Sequence, residues 1–265
     1  MPKKEIIQEM FDSIAPEYDA FNHLASLGID RCWRRRALRF VGKAAGASPD
    51  EALRVLDIAC GTGDFSIAVA RRLQKTCGQD WQVVGCDISE GMLAVMREKV
   101  AGAGLSAGDA AAPGAEPCGK AARGISTMAG DASAMPFPDR SFDTVTVAFG
   151  VRNFEDREKC LREILRVLEP GGRFVMLELG VPSSRSVRWL YKIYFTRIMP
   201  WLGGRMSGNR NAYRYLPASV LAFPGKAEWL GTMERCGFVN CRHRALSLGI
   251  CRLYTGEKPW NGTGA

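Results

Sequence analysis

The chain has 265 residues, 46% of them hydrophobic and 24% charged, the make-up of an ordinary globular protein, which excludes disorder throughout. That length can bury roughly three quarters of the unfolded surface in one large core carrying appended segments. Lysine and arginine outnumber the acids by 36 to 28, a formal net charge of +8 with a pI near 9.1, and the total alone leaves open whether the excess is dispersed, meets nucleic acid, or meets an anionic membrane.

The chain opens on MPKKEIIQEMFDSIA, charged and without an apolar h-region, and nowhere do about 18 apolar residues run together, so neither export nor a membrane span is expected. Nine cysteines, an odd number at irregular spacing with no C-x-x-C, point to reduced thiols in a cytoplasmic setting. The two histidines, His23 and His243, lie near no cysteine pair at finger spacing, and no metal site is expected. Residues 3–41 read as helices, MFDSIAPEYDAFNHL and then GIDRCWRRRALRFV. LRVLDIA (53–59) and WQVVGCD (81–87) are short apolar runs that read as parallel strands. Each leads into a helix: 63–75, with Phe65, Ala68, Val69 and Leu73 at helical spacing, and 90–100, capped by Ser89, with Met92, Leu93 and Met96 inward. Residues 101–124 hold nine Ala, six Gly and two Pro; so little apolar area cannot offset ordering entropy, and a flexible surface insertion is expected. GISTMAG and SFDTVTVAFG (141–150) are further strands. A helix over 156–168 stops at the turn Glu169-Pro170-Gly171-Gly172, before the strand GRFVMLELG. A helical insert over 185–199, a helix over 229–236 and two closing strands that pair antiparallel complete the order. The alternation predicts a doubly wound α/β sheet binding its ligand at the carboxyl ends of the strands, with the two extra helical segments as lids over that edge.

The sharpest motif is VLDIACGTGDF (55–65): a strand, a glycine turn and a helix start. Gly61 and Gly63 permit positive φ and close approach of backbone to ligand. A dinucleotide fold would carry G-x-G-x-x-G, but the third glycine position is Ser66, and Asp57 and Asp64 flank the turn. Carboxylates beside a pyrophosphate would repel it by about 1–4 kcal/mol per close pair, whereas they attract a cation. S-adenosylmethionine, with its sulfonium and ammonium, fits the glycines and acids better. Asp87, ending the second strand, can accept from both ribose hydroxyls, and Asp131 with Ala132 in GDASAMPFPD can meet the adenine edge. Cys60 inside the turn has no base beside it in sequence and reads as a small apolar spacer.

These residues, with LEPGGRFVMLE, resemble the class I S-adenosylmethionine-dependent methyltransferases. Four blocks are similar, more specifically, to the ubiquinone and menaquinone biosynthesis C-methyltransferase family: MFDSIAPEYDAFNHLASLGIDRCWRR, VLDIACGTGDF, FGVRNFED with LREILRVLEPGG, and YFTRIMPWLGG with AYRYLPASVLAFPG. The resemblance implies a Rossmann-like fold, a seven-stranded mostly parallel sheet with helices on both faces, an N-terminal helical lid and a helical insert after the fifth strand. It implies one domain over 1–265: a lid at 1–45, a cofactor-binding core at 50–180 interrupted by the insertion, a basic aromatic segment at 181–228 for substrate and membrane, and a C-terminal helix and strands at 229–265. S-adenosylmethionine is the implied co-substrate, held by Asp57, Gly61, Thr62, Gly63, Asp64, Asp87, Ile88, Asp131, Ala132 and Ala148, where Ala148 stands in place of a serine found in some members.

The implied reaction is methylation of a ring carbon of a polyprenylated quinol, demethylmenaquinol first and the methoxylated benzoquinol of ubiquinone synthesis second. A quinol carbon becomes nucleophilic once the neighbouring hydroxyl is deprotonated, so a base or a stabilising cation is expected. Arg152 and Asn153 of FGVRN emerge at the ligand edge and are the expected pair; Asp19 and His23 on the lid are second candidates, His23 for its suitable pKa. Tyr18, Asn22, Trp33, Tyr191 and Tyr194 are expected to meet the quinol and its tail. Another acceptor on the same fold stays open. An RNA methyltransferase, suggested by the pI, is weighed against, because exocyclic-nitrogen methylation typically uses an N/D-P-P-Y-type motif where this chain reads FGVRN.

The net charge can be located. No acid occurs between Glu178 and Glu228, while Arg185, Arg188, Lys192, Arg197, Arg205, Arg210, Arg214 and Lys226 do, among Trp189, Tyr191, Tyr194, Phe195, Trp201, Tyr213, Tyr215 and Phe223. This mixture favours an anionic membrane interface. The expected partners are therefore the quinol and a membrane surface, touched peripherally, with no nucleic acid; a homodimer is left open.

Overall fold

Alternating apolar residues account for a sheet covered on both faces. In β1 (Leu53–Ile58), Leu53 and Val55 join one buried cluster and Leu56 and Ile58 the other; in β5 (Leu168–Leu179), Val175 and Leu177 part from Phe174 and Met176 in the same way, as a period of two requires. The computed structural model describes residues 4–48, 50–76, 80–105, 123–194, 197 and 210–260. Most of the alanine- and glycine-rich insertion, 106–122, lies outside them, as do Phe195, Trp201 and Arg205 of the basic aromatic segment.

The remaining strands are β2 (Trp81–Asp87), β3 (Gly124–Ala129), β4 (Phe142–Ala148), β6 (Val239–Leu246) and β7 (Cys251–Glu257). They form one sheet in the order β3-β2-β1-β4-β5-β7-β6. The first five strands in that order pair in parallel; β7 pairs antiparallel with both β5 and β6. This is the Rossmann-like mixed sheet expected from the sequence.

Helices α1 (Lys4–Ile14), α2 (Tyr18–Ala25) and α3 (Ile29–Ala37) precede β1. The crossovers α4 (Asp64–Thr76) and α5 (Glu90–Gly102) pack Phe65, Val69, Leu73, Met96 and Val100 on one face of the sheet, where Trp33 and Ala37 of α3 join them. On the other face lie α6 (Arg157–Val167), which contributes Leu161 and Ile164, and, further along the chain, the helix Lys226–Arg235, which contributes Trp229 and Met233. Between β5 and that helix come α7 (Arg185–Ile193) and α8 (Arg210–Leu221), so the Lys226–Arg235 helix is α9. Ser89 caps α5 as expected, its hydroxyl accepting the Met92 amide at 3.1 Å.

One boundary departs from expectation. The turn Glu169–Gly172 is drawn into β5 as a bulge: pairing passes from Phe142 with Leu168 to Thr144 with Arg173. The Gly171 amide donates to the Lys258 carbonyl at 3.0 Å and Lys258 returns a bond to Gly172 at 2.9 Å, so the glycines continue the sheet. Gly171 has φ +75, and a Cβ there would lie 2.9 Å from the Ala45 carbonyl oxygen, which explains the glycine.

The fully buried Trp229 ring sits 5.1 Å from the Phe223 ring. Trp229→Ala is expected to cost about 3–5 kcal/mol, read as a lower urea midpoint at unchanged slope; an unshifted midpoint would contradict this packing.

Candidate functional site

The carboxyl ends of β1, β2 and β4 open onto two adjoining cavities of about 430 Å³ each. The β1–α4 turn takes left-handed geometry at Ala59, Gly61 and Gly63, and a Cβ on Gly63 would fall 2.4 Å from Met96 Cγ; glycine lets the turn close on α5. Asp87 braces the turn. Its Oδ2 accepts the Gly61 amide at 2.8 Å and its Oδ1 the Ser89 amide at 2.9 Å. Burial nevertheless raises its pKa above the ordinary range, against the pull of those amides.

The first cavity is lined by Tyr18, Gly61, Asp87, Ile88, Met92, Asp131, Ala132, Ala148 and Asn153, with Lys4 at its edge. Asp131 accepts the Ser133 amide at 2.8 Å and the Lys4 ammonium at 3.0 Å. Burial pushes its carboxyl up, but that amide and ammonium outweigh burial and its pKa is lowered. The second cavity is lined by Tyr18, Asn22, Trp33, Thr62, Asp64, Ala148, Arg152, Tyr191 and Tyr194, together with Leu27, Ile29, Leu179, Val187, Leu190, Leu216 and Ile250. Tyr18, Ala59, Gly61, Ala148 and Phe149 wall both. Tyr194 ties α7 to the end of α2 by donating its hydroxyl to the Ala25 carbonyl at 2.6 Å.

Several expected site residues sit elsewhere or do something else. His23 lines neither of these cavities: Nδ1 lies 2.9 Å from Asp30 Oδ2 and Nε2 3.4 Å from Asp64 Oδ2, so both ring nitrogens face carboxylates. Asp19 also lies off both walls, accepting the Thr62 hydroxyl at 2.5 Å and the Lys99 ammonium at 2.7 Å. Asp64 contacts Lys99 at 2.5 Å and Arg34 at 3.6 Å; burial raises its pKa, and Arg34 and Lys99 more than reverse the effect. His23, Asp30 and Asp64 bring three ligand-type atoms within 4.8 Å of one another, but the Arg34 guanidinium bridges both carboxylates, placing positive charge where a metal would sit. Asp57 is wholly buried beneath the turn, accepting the Ser66 hydroxyl at 2.5 Å and the Thr146 hydroxyl at 2.6 Å; desolvation drives its pKa up to about 6 despite both bonds.

Arg152 is not a free cation. It is 6% exposed and pairs with Glu178, itself fully buried: the guanidinium and the backbone amide of Arg152 each donate to a Glu178 oxygen at 3.0 Å, and a second guanidinium bond goes to the Phe149 carbonyl. Burial would lower the Arg152 pKa, but Glu178 reverses this and keeps the group charged. Asn153 accepts the Tyr215 hydroxyl at 3.2 Å on its side-chain oxygen. Trp33 is buried with its indole N–H donated to Ser247 Oγ at 2.9 Å. Glu178 and Arg34 escape a sequence reading, since a lone acid in an apolar strand and one arginine among three carry no spacing signal.

The ubiE/COQ5 methyltransferase family model matches residues 1–258. A ubiquinone/menaquinone biosynthesis C-methyltransferase UbiE of Geobacter sulfurreducens is 43% identical over 97% of this chain and 90% of its own length. A demethylmenaquinone methyltransferase of Bacteroides fragilis is 41% identical over 97% and 94%, and one of Thermus thermophilus 41% over 94% and 100%. Among solved structures, a chain from the complex of the Haloferax volcanii Trm112 methyltransferase activator with a putative methyltransferase aligns with TM-score 0.58 and 18% identity over 94% of this chain and 97% of its own. A Thermotoga maritima S-adenosylmethionine-dependent methyltransferase aligns with TM-score 0.57 and 17% identity over 95% and 99%. At such identities they speak for the fold.

Two outcomes are expected. Asp57 has its pKa raised on folding, from 3.8 to about 6, so it penalises the folded state above the unfolded pKa and not below it. Asp57→Asn should therefore gain on the order of 2–3 kcal/mol relative to wild type as pH rises from 3.5 to 7; urea titrations with a pH-independent difference would refute this. Glu178→Leu strands a buried guanidinium and should cost about 3–5 kcal/mol, and adding Arg152→Met should restore part of it. No recovery in the double variant would show that the two groups are not coupled.

Proposed function

The chain belongs to the ubiE/COQ5 methyltransferase family, and from that premise we propose that it moves the methyl group of S-adenosylmethionine to a ring carbon of a polyprenylated quinol, demethylmenaquinol above all. The observation carrying this reading is the pair of adjoining cavities with the common wall Tyr18, Ala59, Gly61, Ala148 and Phe149: methyl transfer needs donor and acceptor in line across a small opening.

The first cavity suits S-adenosylmethionine by its donor set. Asp87 offers a carboxylate for ribose hydroxyls, Ile88, Met92 and Ala132 an apolar slot for the adenine, and Asp131 a further acceptor. Gly61 and Thr62 would flank the methionyl end. When bound, the molecule supplies an electrophilic methyl on a sulfonium. The second cavity is apolar and aromatic, with Trp33, Leu179, Val187, Tyr191 and Leu216 suited to a prenyl tail.

Tyr18 stands between the two. Burial raises its pKa and Arg152 only partly opposes this, so its hydroxyl stays protonated and can donate to a quinol oxygen. Arg152 stays charged beside it and favours the phenolate form, in which the ring carbon is the nucleophile. Enclosure by α1–α3 and α7 keeps water from the meeting charges, which cancel as the methyl moves. Among the described residues no helix is long and apolar enough to cross a membrane; a bilayer-resident acceptor would be met at the membrane surface. The name of the Geobacter relative covers both quinone pathways, which favours the methoxylated benzoquinol as a second acceptor.

Incubating the protein with methyl-labelled S-adenosylmethionine and each reduced quinone should label demethylmenaquinol; label in neither quinol would overturn the reading. Asp87→Ala should weaken S-adenosylmethionine binding by about 1.5–3 kcal/mol in calorimetry. Tyr18→Phe should spare that affinity and slow turnover by about 10–100-fold. Equal losses of affinity in the two variants would refute the division of roles.

A further inference from the structure

The mouth of the apolar cavity carries two features that methyl transfer does not use. The first is a set of outward apolar side chains: Leu27, Leu248 and Leu190 are 77%, 74% and 60% exposed, with Trp189 beside Leu190 in α7. Leu27 and Leu248 both stand on left-handed residues at tight turns, φ +51 and +59, a conformation bulky residues rarely adopt. Leu27, Leu190 and Ser247, the neighbour of Leu248, line that cavity, so these side chains ring its opening.

The second feature is a recess of about 360 Å³ that Arg36, Arg39 and Arg244 line with Ala245, Leu246, Ser247 and Leu253. Among the described residues, Arg36, Arg39 and Arg244 are exposed and none of the three guanidinium groups has a carboxylate or carbonyl partner. Like charges converging on one recess repel one another unless an anion joins them, and guanidinium matches phosphate in shape and hydrogen bonding. Ser247 belongs both to this recess and to the apolar cavity, and the Trp33 indole is bonded to it. The arginines therefore adjoin the ring of exposed leucines. By contrast, Arg188, in the segment where the sequence locates the excess charge, is turned onto the Pro182 and Ser183 carbonyls at 3.0 Å.

We propose that the recess of Arg36, Arg39 and Arg244 binds the phosphate of an anionic phospholipid head group and, with Leu27 and Leu248 entering the acyl boundary, seats the mouth of the apolar cavity in the bilayer. Apolar tips beside cationic side chains are how a peripheral protein holds an anionic leaflet. The inference rests on the reading of the second cavity as a prenyl-quinol site, because seating the mouth in lipid lets a tail pass from bilayer to cavity without crossing water.

The test compares wild type, R36Q/R39Q/R244Q, L27S/L248S and the charge-matched control R72Q/K75Q/R140Q, whose residues line none of the cavities above. Co-sedimentation uses phosphatidylcholine vesicles with and without phosphatidylglycerol. Wild type should favour the anionic vesicles; the arginine triple variant should lose on the order of tenfold or more of that partitioning, each basic group near an anionic leaflet being worth several-fold, while the control changes less than twofold. L27S/L248S should lose binding to both compositions and slow methylation of vesicle-borne prenyl quinol. The arginine variant should methylate a tailless quinol in solution at the wild-type rate, which also reports that it is folded. Vesicle binding unchanged in the arginine variant, an equal loss in the control, or wild type binding inorganic phosphate but not anionic vesicles would each overturn the lipid site. Wild type failing on the tailless quinol would instead overturn the quinol reading.

Discussion

The buried ion pair between Arg152 and Glu178 is the constraint from which both cavities take their shape. Two charges removed from water are costly, and attraction alone seldom offsets the loss. Here Glu178 also accepts the amides of Arg152 and Leu179, and Arg152 also donates to the Phe149 carbonyl. The end of β5 is thereby locked to the turn after β4, fixing Ala148 and Phe149, which form the wall between the cavities. The pair presents a guanidinium to the second cavity while its carboxylate lies inside the protein. A permanent charge held by the fold costs no reorganisation when charge develops nearby.

A second network does for the N-terminal helices what this pair does for the sheet. Asp12 accepts the Ser89 hydroxyl at 2.5 Å and the Gly91 amide at 3.1 Å, tying α1 to the start of α5. Asp19, Thr62, Lys99, Asp64, Arg34, Asp30 and His23 then run as a chain of contacts from α2 and α3 to the glycine turn and α5. From Asp19 through Lys99, Asp64 and Arg34 to Asp30, carboxylates and cations alternate, so each of these charges has a partner of opposite sign. Of the acids flanking the glycine motif, Asp64 joins α3 to α5 and Asp57 holds Ser66 and Thr146 beneath the turn, while Asp87 and Asp131 line the first cavity.

The charge excess also acquires a shape. The eight basic residues after Glu178 equal the net excess, and some of them lie outside the described residues, but positive charge also gathers elsewhere. Helix α3 buries Trp33 and Ala37 and leaves arginines on its flanks: Arg31 and Arg35 on one side, toward Arg71, and Arg36 on the other, toward Arg39 and Arg244. An apolar stripe between charged flanks is the expected outcome for an amphipathic helix docked on a sheet. In α3 nearly all the flanking charge is positive, and that surface borders the apolar mouth.

The sequence by itself determined what local rules govern. Short apolar runs marked the strands, helical spacing and the Ser89 cap marked α4 and α5, and glycines at 61 and 63 marked a turn close to a ligand, because these depend on backbone conformation over a few residues. Asp87, Asp131 and Asn153 could be located at the ligand edge for the same reason, since parallel strands deliver their carboxyl ends to one side. Tertiary structure alone decided the partners. Glu178 is 26 positions from Arg152, Ser247 is 214 from Trp33, and Asp64 is remote in sequence from the His23 and Arg34 that engage it. So His23 came to lie between Asp30 and Asp64, Asp57 came to hold Ser66 and Thr146 beneath the glycine turn, and arginines from two parts of the chain came to line one recess. A side chain's charge, exposure and reach depend on what the fold brings beside it, and no spacing along the chain encodes that.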